Sequence, residues 1–204
     1  MRLIGMMDSP YVRRTAIALT AMDIPFRSEP VSVFRDYAAF AAINPVVKAP
    51  TLVTDEGTVL MDSGLILDLA ERLARPGRSL LPADRLTLAR HQAVSGLALA
   101  ACEKAVAIVY EMNLRGESER SATWLARVGG QLAAALDLLE ATVAAPRAGA
   151  FLFGPAPTRA DIDVAVAVSF GVMMLPERFA GRPALSAFTA TAEALPEFRA
   201  CPAV

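Results

Sequence analysis

The residues of this chain that could do covalent chemistry are few, and most of the familiar arrangements are missing. Its two cysteines, Cys102 in an alanine-rich run and Cys201 beside the C-terminus, lack C-x-x-C spacing, so neither a disulfide framework nor a cysteine metal site is supported. The single histidine, His91, lies among polar neighbours without a clustered partner, which suits a solvated or packing residue better than a ligand. No metal is expected. A Ser-His-Asp arrangement would have to recruit His91 and has no nucleophile elbow to support it. What remains are hydroxyls and charges where helices begin. Ser9-Pro10-Tyr11 offers a hydroxyl with proline at the first helical position, which a helix cap alone would explain. Asp62-Ser63, before Gly64-Leu65-Ile66, is a second polar pair of cap type. Such helix starts favour anions, because their first N–H groups are unpaired and the helix dipole is positive there. Lys48, taken by itself, is an ordinary solvated lysine.

The elements that must position these residues divide the chain in two. Arg2 to Met6 reads as a strand, and Val12, Ala16 and Leu19 recur at helical spacing after the turn-forming Asp8-Ser9-Pro10. Arg27 to Phe34 alternates as a second strand that could lie parallel to the first. After a connecting segment, Thr51 to Thr54 and Thr58 to Met61 read as a hairpin around Asp55-Glu56-Gly57, and Leu65, Leu69 and Leu73 mark a helix running to about Ala74. The breaker cluster Arg75-Pro76-Gly77-Arg78-Ser79 closes this α/β part. Helices follow. Asp84 to about Leu114 is one long helix or two in tandem, and Ser121–Ala144, Thr158–Leu175 and Ala184–Ala194 are three more. The expected organisation is a domain over 1–78, a linker over 79–85 and an all-helical domain over 86–204.

Composition narrows the function classes. Across 204 residues, 20 Lys+Arg stand against 21 Asp+Glu, so there is no cationic excess to hold nucleic acid by counterion release. The hydrophobic fraction is 54%, but the longest apolar stretch, Val164 to Pro176, is shorter than the roughly 20 residues a bilayer span needs and reads as a buried helix. Alanine supplies about a fifth of the chain, which favours closely packed helices. No membrane association is expected, and the absence of a long apolar run at the N-terminus argues for the cytoplasm.

A βαβ-ββα unit followed by a helical domain resembles the thioredoxin-like fold and C-terminal helical bundle of the soluble, cytosolic-type glutathione S-transferases, of bacterial-like kind with a serine-type active site. Ser9-Pro10-Tyr11-Val12 resembles the Cys-Pro-Tyr-Cys motif of glutaredoxins with both thiols lost. That loss removes dithiol exchange, which needs a protein thiolate. Asn44-Pro45-Val46-Val47-Lys48-Ala49-Pro50-Thr51-Leu52 resembles the family's Asn-Pro-x-x-Lys-Val-Pro-x-Leu segment, departing at Ala49, where a larger β-branched residue is usual. Met61-Asp62-Ser63 resembles its acidic-Ser pair, with Asp62 shorter than the usual glutamate by one methylene. Thr158-Arg159-Ala160-Asp161 resembles the capping box that opens a buried helix of the helical domain, a folding element.

The resemblance implies an activity and a site. Glutathione, as co-substrate, would bring a thiol that the Ser9 hydroxyl and the helix dipole hold as thiolate, with Tyr11 as the competing hydroxyl. Lys48 would meet the glycyl carboxylate. Ala49 would pair with the cysteinyl backbone ahead of a cis bond to Pro50, and Asp62 and Ser63 would hold the γ-glutamyl end. An acceptor pocket for an apolar electrophile would draw on Tyr11, Phe34, Tyr110, Met112 and Leu114, each of which is equally explained by core or dimer packing. The implied molecule is a homodimeric detoxifying transferase. A glutathione-dependent isomerase, dehalogenase or lyase on the same scaffold, or a non-catalytic binding or regulatory protein, are the alternatives, because fold does not fix reaction.

Overall fold

A computed structural model describes residues 1–203. Internal contacts divide the chain into two units, residues 1–81 together with Ala194 onward, and residues 82–193.

In the first unit, β1 (Arg2–Ile4), α1 (Pro10–Ala21) and β2 (Arg27–Glu29) form the βαβ crossover, with β1 and β2 parallel. α2 (Tyr37–Ile43) fills the connecting segment. β3 (Thr51–Val53) and β4 (Val59–Leu60) are the hairpin, and α3 (Ser63–Leu73) follows it. The sheet order is β2-β1-β3-β4, with β3 antiparallel to both β1 and β4. This is the thioredoxin-like topology. The second strand is shorter than the alternation over Arg27–Phe34 implies, because Pro30 follows at once and the chain beyond it turns around Ser32. α2 was not visible in the pattern, since Phe40 is its only buried residue and a single anchor sets no period. That anchor joins Ile4 and Val53 in a small core, against which Ile43, Val47 and Ala49 also pack.

The C-terminal segment departs from the organisation expected of 86–204. α9 (Pro196–Arg199) packs on α1 within the first unit rather than on the helical one. The reason is local to α1. Arg13 is buried, donates from Nε to the Cys201 carbonyl at 2.9 Å, and has its guanidinium 5.7 Å from the Phe198 ring centroid. A guanidinium removed from water needs such acceptors and aromatic faces.

The second unit is helical. α4 (Arg85–Leu114) is one continuous helix capped by Asp84, whose carboxylate accepts from the Thr87 N–H at 2.8 Å and is held below the usual carboxylate range first by the Thr87 side chain and then by that backbone bond. By length and apolar composition alone α4 could cross a bilayer. In this fold its Ala98, Ala101, Cys102, Ala105 and Ile108 stripe is buried, and it packs against α5 (Ala122–Ala144) and α6 (Arg159–Met174). A single 3-10 turn, Glu117–Glu119, lies between α4 and α5. α6 is buried from Arg159 through Val168, as its apolar run implies, and α7 (Pro176–Phe179) and α8 (Pro183–Glu193) pack against it. Close approach is what Gly171 provides: a Cβ there would overlap the ring of Phe179.

Candidate functional site

Ser9 is the N-cap of α1. Its Oγ accepts from the Val12 N–H at 3.4 Å, and Pro10 opens the helix as the sequence suggests. A hydroxyl that accepts from a backbone amide keeps its own proton, so Ser9 can still donate to an anion at the helix start. Tyr11 is half-buried in the first turn, and its carbonyl accepts from the Thr15 hydroxyl at 2.8 Å. The approach to α1 is set by Gly5, which lies at φ +139°, where side chains are disfavoured. A Cβ at Gly5 would come within 2.6 Å of Val12 Cγ2 and 3.2 Å of Ala49 Cβ. Gly5 therefore lets the loop after β1 lie against the segment that carries Ala49.

That segment is organised by Asn44, which is buried. Its Nδ2 donates to Thr51 Oγ1 at 2.9 Å and lies 3.3 Å from the Met61 sulfur, while its Oδ1 accepts from the Val46 N–H at 3.0 Å. Thr51 in turn donates its hydroxyl to the Lys48 carbonyl at 2.7 Å. Val47, between them, has a positive φ of 52°, an unfavourable position for a β-branched residue, and its N–H is held by the Asn44 carbonyl at 2.9 Å. The Ala49–Pro50 bond is cis, as the sequence reading anticipates. Pro50 is buried, Ala49 is partly buried and Lys48 is exposed.

α3 starts from Asp62, the N-cap, whose Oδ1 accepts from the Gly64 N–H at 2.7 Å. Lys48 Nζ stands 4.0 Å from Asp62 Oδ2, with both side chains about half exposed. Ser63 is buried, and its Oγ accepts from Arg14 Nη1 at 3.0 Å. The three motifs thus meet at one end of the sheet. Gly5 brings the start of α1 to Ala49, Lys48 reaches Asp62, and Arg14 of α1 reaches Ser63 of α3. An anionic peptide fits this chemistry: a cation, an exposed carboxylate, two helix N-termini and an extended cis-proline segment.

The remaining expected site residues are placed separately. Phe34 is exposed in the turn that Ser32 caps. Tyr110, Met112 and Leu114 belong to the other unit, exposed at the C-terminal end of α4, where the Met112 carbonyl accepts from Arg120 at 2.7 Å. Among the described residues no group of three or more His, Cys, Asp or Glu side chains could hold a metal ion. Gly5 and Arg14 escaped the sequence reading, and Asn44 entered it only as the first residue of its motif; each acts through partners that the fold brings to it.

Residues 3–78 match the family model of the glutathione S-transferase N-terminal domain. The chain is 31% identical over 140 residues to the uncharacterized GST-like protein YibF of Escherichia coli (strain K12), covering 69% of this chain and 68% of that one. It is also 38% identical over 95 residues to maleylacetoacetate isomerase of Pseudomonas aeruginosa, covering 44% and 43%. A glutathione S-transferase of Methylobacterium radiotolerans, solved in complex with glutathione sulfonate, superposes with a TM-score of 0.88 at 27% identity, over 98% of this chain and 93% of that one. A glutathione transferase family member of Pseudomonas fluorescens Pf-5, solved with bound glutathione, gives 0.81 at 26% identity, over 98% and 97%. The chain belongs to the glutathione S-transferase family.

Proposed function

We propose that this protein is a glutathione transferase that joins the glutathione thiolate to an apolar electrophile. The observation that carries the reading is the convergence of the Ser9, Lys48–Pro50 and Asp62–Ser63 motifs around the cis Ala49–Pro50 bond. Glutathione binding in the relatives solved with glutathione and glutathione sulfonate supports it. Ser9 donates a hydrogen bond to the sulfur and, with the α1 dipole, favours the thiolate; the thiol proton leaves to solvent. Lys48 pairs with the glycyl carboxylate, Ala49 with the cysteinyl backbone, and Asp62 and Ser63 with the γ-glutamyl ammonium and carboxylate. The sulfur then forms its bond to an electrophilic carbon. Either a leaving group departs with the electron pair, or a proton is taken up at the neighbouring atom. The reading needs no metal, because the co-substrate supplies the nucleophile and the protein contributes thiolate stabilisation and positioning. Tyr11 and Phe34 are assigned to the acceptor side.

The test is retention on immobilised glutathione and turnover of chlorodinitrobenzene by wild type and Ser9→Ala. Loss of the hydroxyl should lower kcat/KM by about 10²–10³. It should also raise the bound thiol pKa, by part of the about two units, roughly 2.7 kcal/mol, that the hydroxyl and the helix dipole are assigned together. Unchanged values would transfer the role to Tyr11 or to backbone groups, and no binding at millimolar glutathione would sink the proposal.

The match to maleylacetoacetate isomerase favours one second reading, glutathione-dependent isomerisation. The two separate by stoichiometry: a transferase consumes one glutathione per turnover, whereas an isomerase returns it. We further assign the molecule to the cytoplasm as a homodimer, a reading supported by family membership and by exposed Leu65 and Leu73 on α3. Sedimentation at twice the 21.6 kDa chain mass is the expected result.

A further inference from the structure

Two buried polar groups behind the start of α3 carry an inference that rests on the proposed glutathione site and sharpens one end of it. Arg14 is 2% exposed and Ser63 is 4% exposed, and Arg14 Nη1 donates to Ser63 Oγ at 3.0 Å. A guanidinium has only donors and stays charged throughout the accessible pH range. Ser63 Oγ must therefore be the acceptor in this contact, and its own proton is left to donate elsewhere. Among the described residues that proton has no acceptor.

The backbone around Ser63 is in the same condition. The Gly64 N–H is taken by the Asp62 carboxylate at 2.7 Å and the Ile66 N–H by the Asp62 carbonyl at 3.0 Å. The amides of Ser63 and Leu65 remain for an incoming group. A hydroxyl whose proton is directed away from Arg14, together with the first-turn amides, favours an anion.

We propose that Arg14 is a positioning residue for the γ-glutamyl carboxylate. It fixes the Ser63 hydroxyl as a donor toward that carboxylate and polarises it, without itself touching the reacting sulfur. Its place on α1, five residues after Ser9, sets the groups that meet the sulfur and the γ-glutamyl end of the peptide on or against one helix.

A chemical cycle tests this. Calorimetric affinities of wild type, Arg14→Met, Arg14→Lys and Ser63→Ala are measured for glutathione and for 4-aminobutyryl-cysteinylglycine, which is glutathione without its γ-glutamyl α-carboxylate. Arg14→Met should weaken glutathione by about ten- to a hundred-fold, the scale of a lost hydrogen bond to a charged group. It should leave the shortened peptide's affinity within about two-fold of wild type, because the interaction it supports is already missing. Ser63→Ala should do the same, and Arg14→Lys should recover part of the loss for glutathione alone. In turnover the loss should fall on KM for glutathione, with the bound thiol pKa unmoved. Equal weakening of both peptides, or none of either, overturns the assignment of Arg14 while the glutathione reading stands. Should Arg14→Met fail to fold, the same comparison in Arg14→Lys decides. Failure of wild type to bind glutathione at millimolar concentration overturns the reading beneath it as well.

Discussion

His91 acquires a role from its surroundings that its sequence neighbours did not suggest. Its ring is fully buried, Nε2 accepts from the Ala160 N–H at the start of α6 at 3.0 Å, and Phe153 lies tilted against it at 5.3 Å between centroids. An Nε2 that accepts places the remaining proton on Nδ1, so the ring is neutral. Burial first, and then the Arg159 charge, lower its pKa from 6.5 to about 4, with Asp163 opposing. The group therefore binds protons more readily when unfolded. Its contribution to stability is complete above pH 6.5 and is lost as pH falls through 4. The full shift corresponds to roughly 3 kcal/mol, and about 2 kcal/mol of it should be gone by pH 5. His91→Gln should show a correspondingly flatter fall in urea midpoint between pH 7 and pH 5. Parallel curves for the two proteins would mean that the imidazole does not report on folding.

At the scale of elements, helix starts do most of the organising, and the side chain that matters is not always the cap itself. Thr158 caps α6 as the sequence implies, but Asp161 holds the turn together. One of its carboxylate oxygens accepts from the Thr158 N–H at 2.8 Å and from the Thr158 hydroxyl, and the other accepts from the Leu152 N–H at 2.7 Å. Burial raises its pKa while those hydrogen bonds lower it. The Leu152 contact ties the preceding loop to the helix, a link that capping-box spacing does not reveal. Thr158→Ala should cost about 1 kcal/mol in chemical denaturation. Asp161→Ala should cost about 2–3 kcal/mol, because it leaves two backbone donors without their acceptor. Equal costs for the two substitutions would mean that the loop tie contributes nothing.

For the whole molecule, the candidate glutathione site is built from residues 5–63, within the unit formed by 1–81 and the C-terminal segment. Ligand binding should therefore stabilise that unit first. Glutathione at about 100 times its Kd should add about 2.7 kcal/mol. Hydrogen exchange should show the added protection concentrated in β1, α1, the Asn44–Thr51 segment and the first turn of α3. Uniform protection of 82–193 as well would show that the two units open together.

The sequence by itself determined the thioredoxin-like order, the helix starts at Ser9, Asp62 and Thr158, and the three motifs in chain order. These rest on signals confined to a few consecutive residues: caps, turns, period and a short recognisable segment. The tertiary structure alone decided that Arg13 anchors a C-terminal segment 188 residues away, that Asn44 braces the cis-proline loop, and that Arg14 reaches Ser63. Each of these is a polar group taken out of water, and what satisfies it is whatever the fold brings alongside, not what the neighbouring residues spell out.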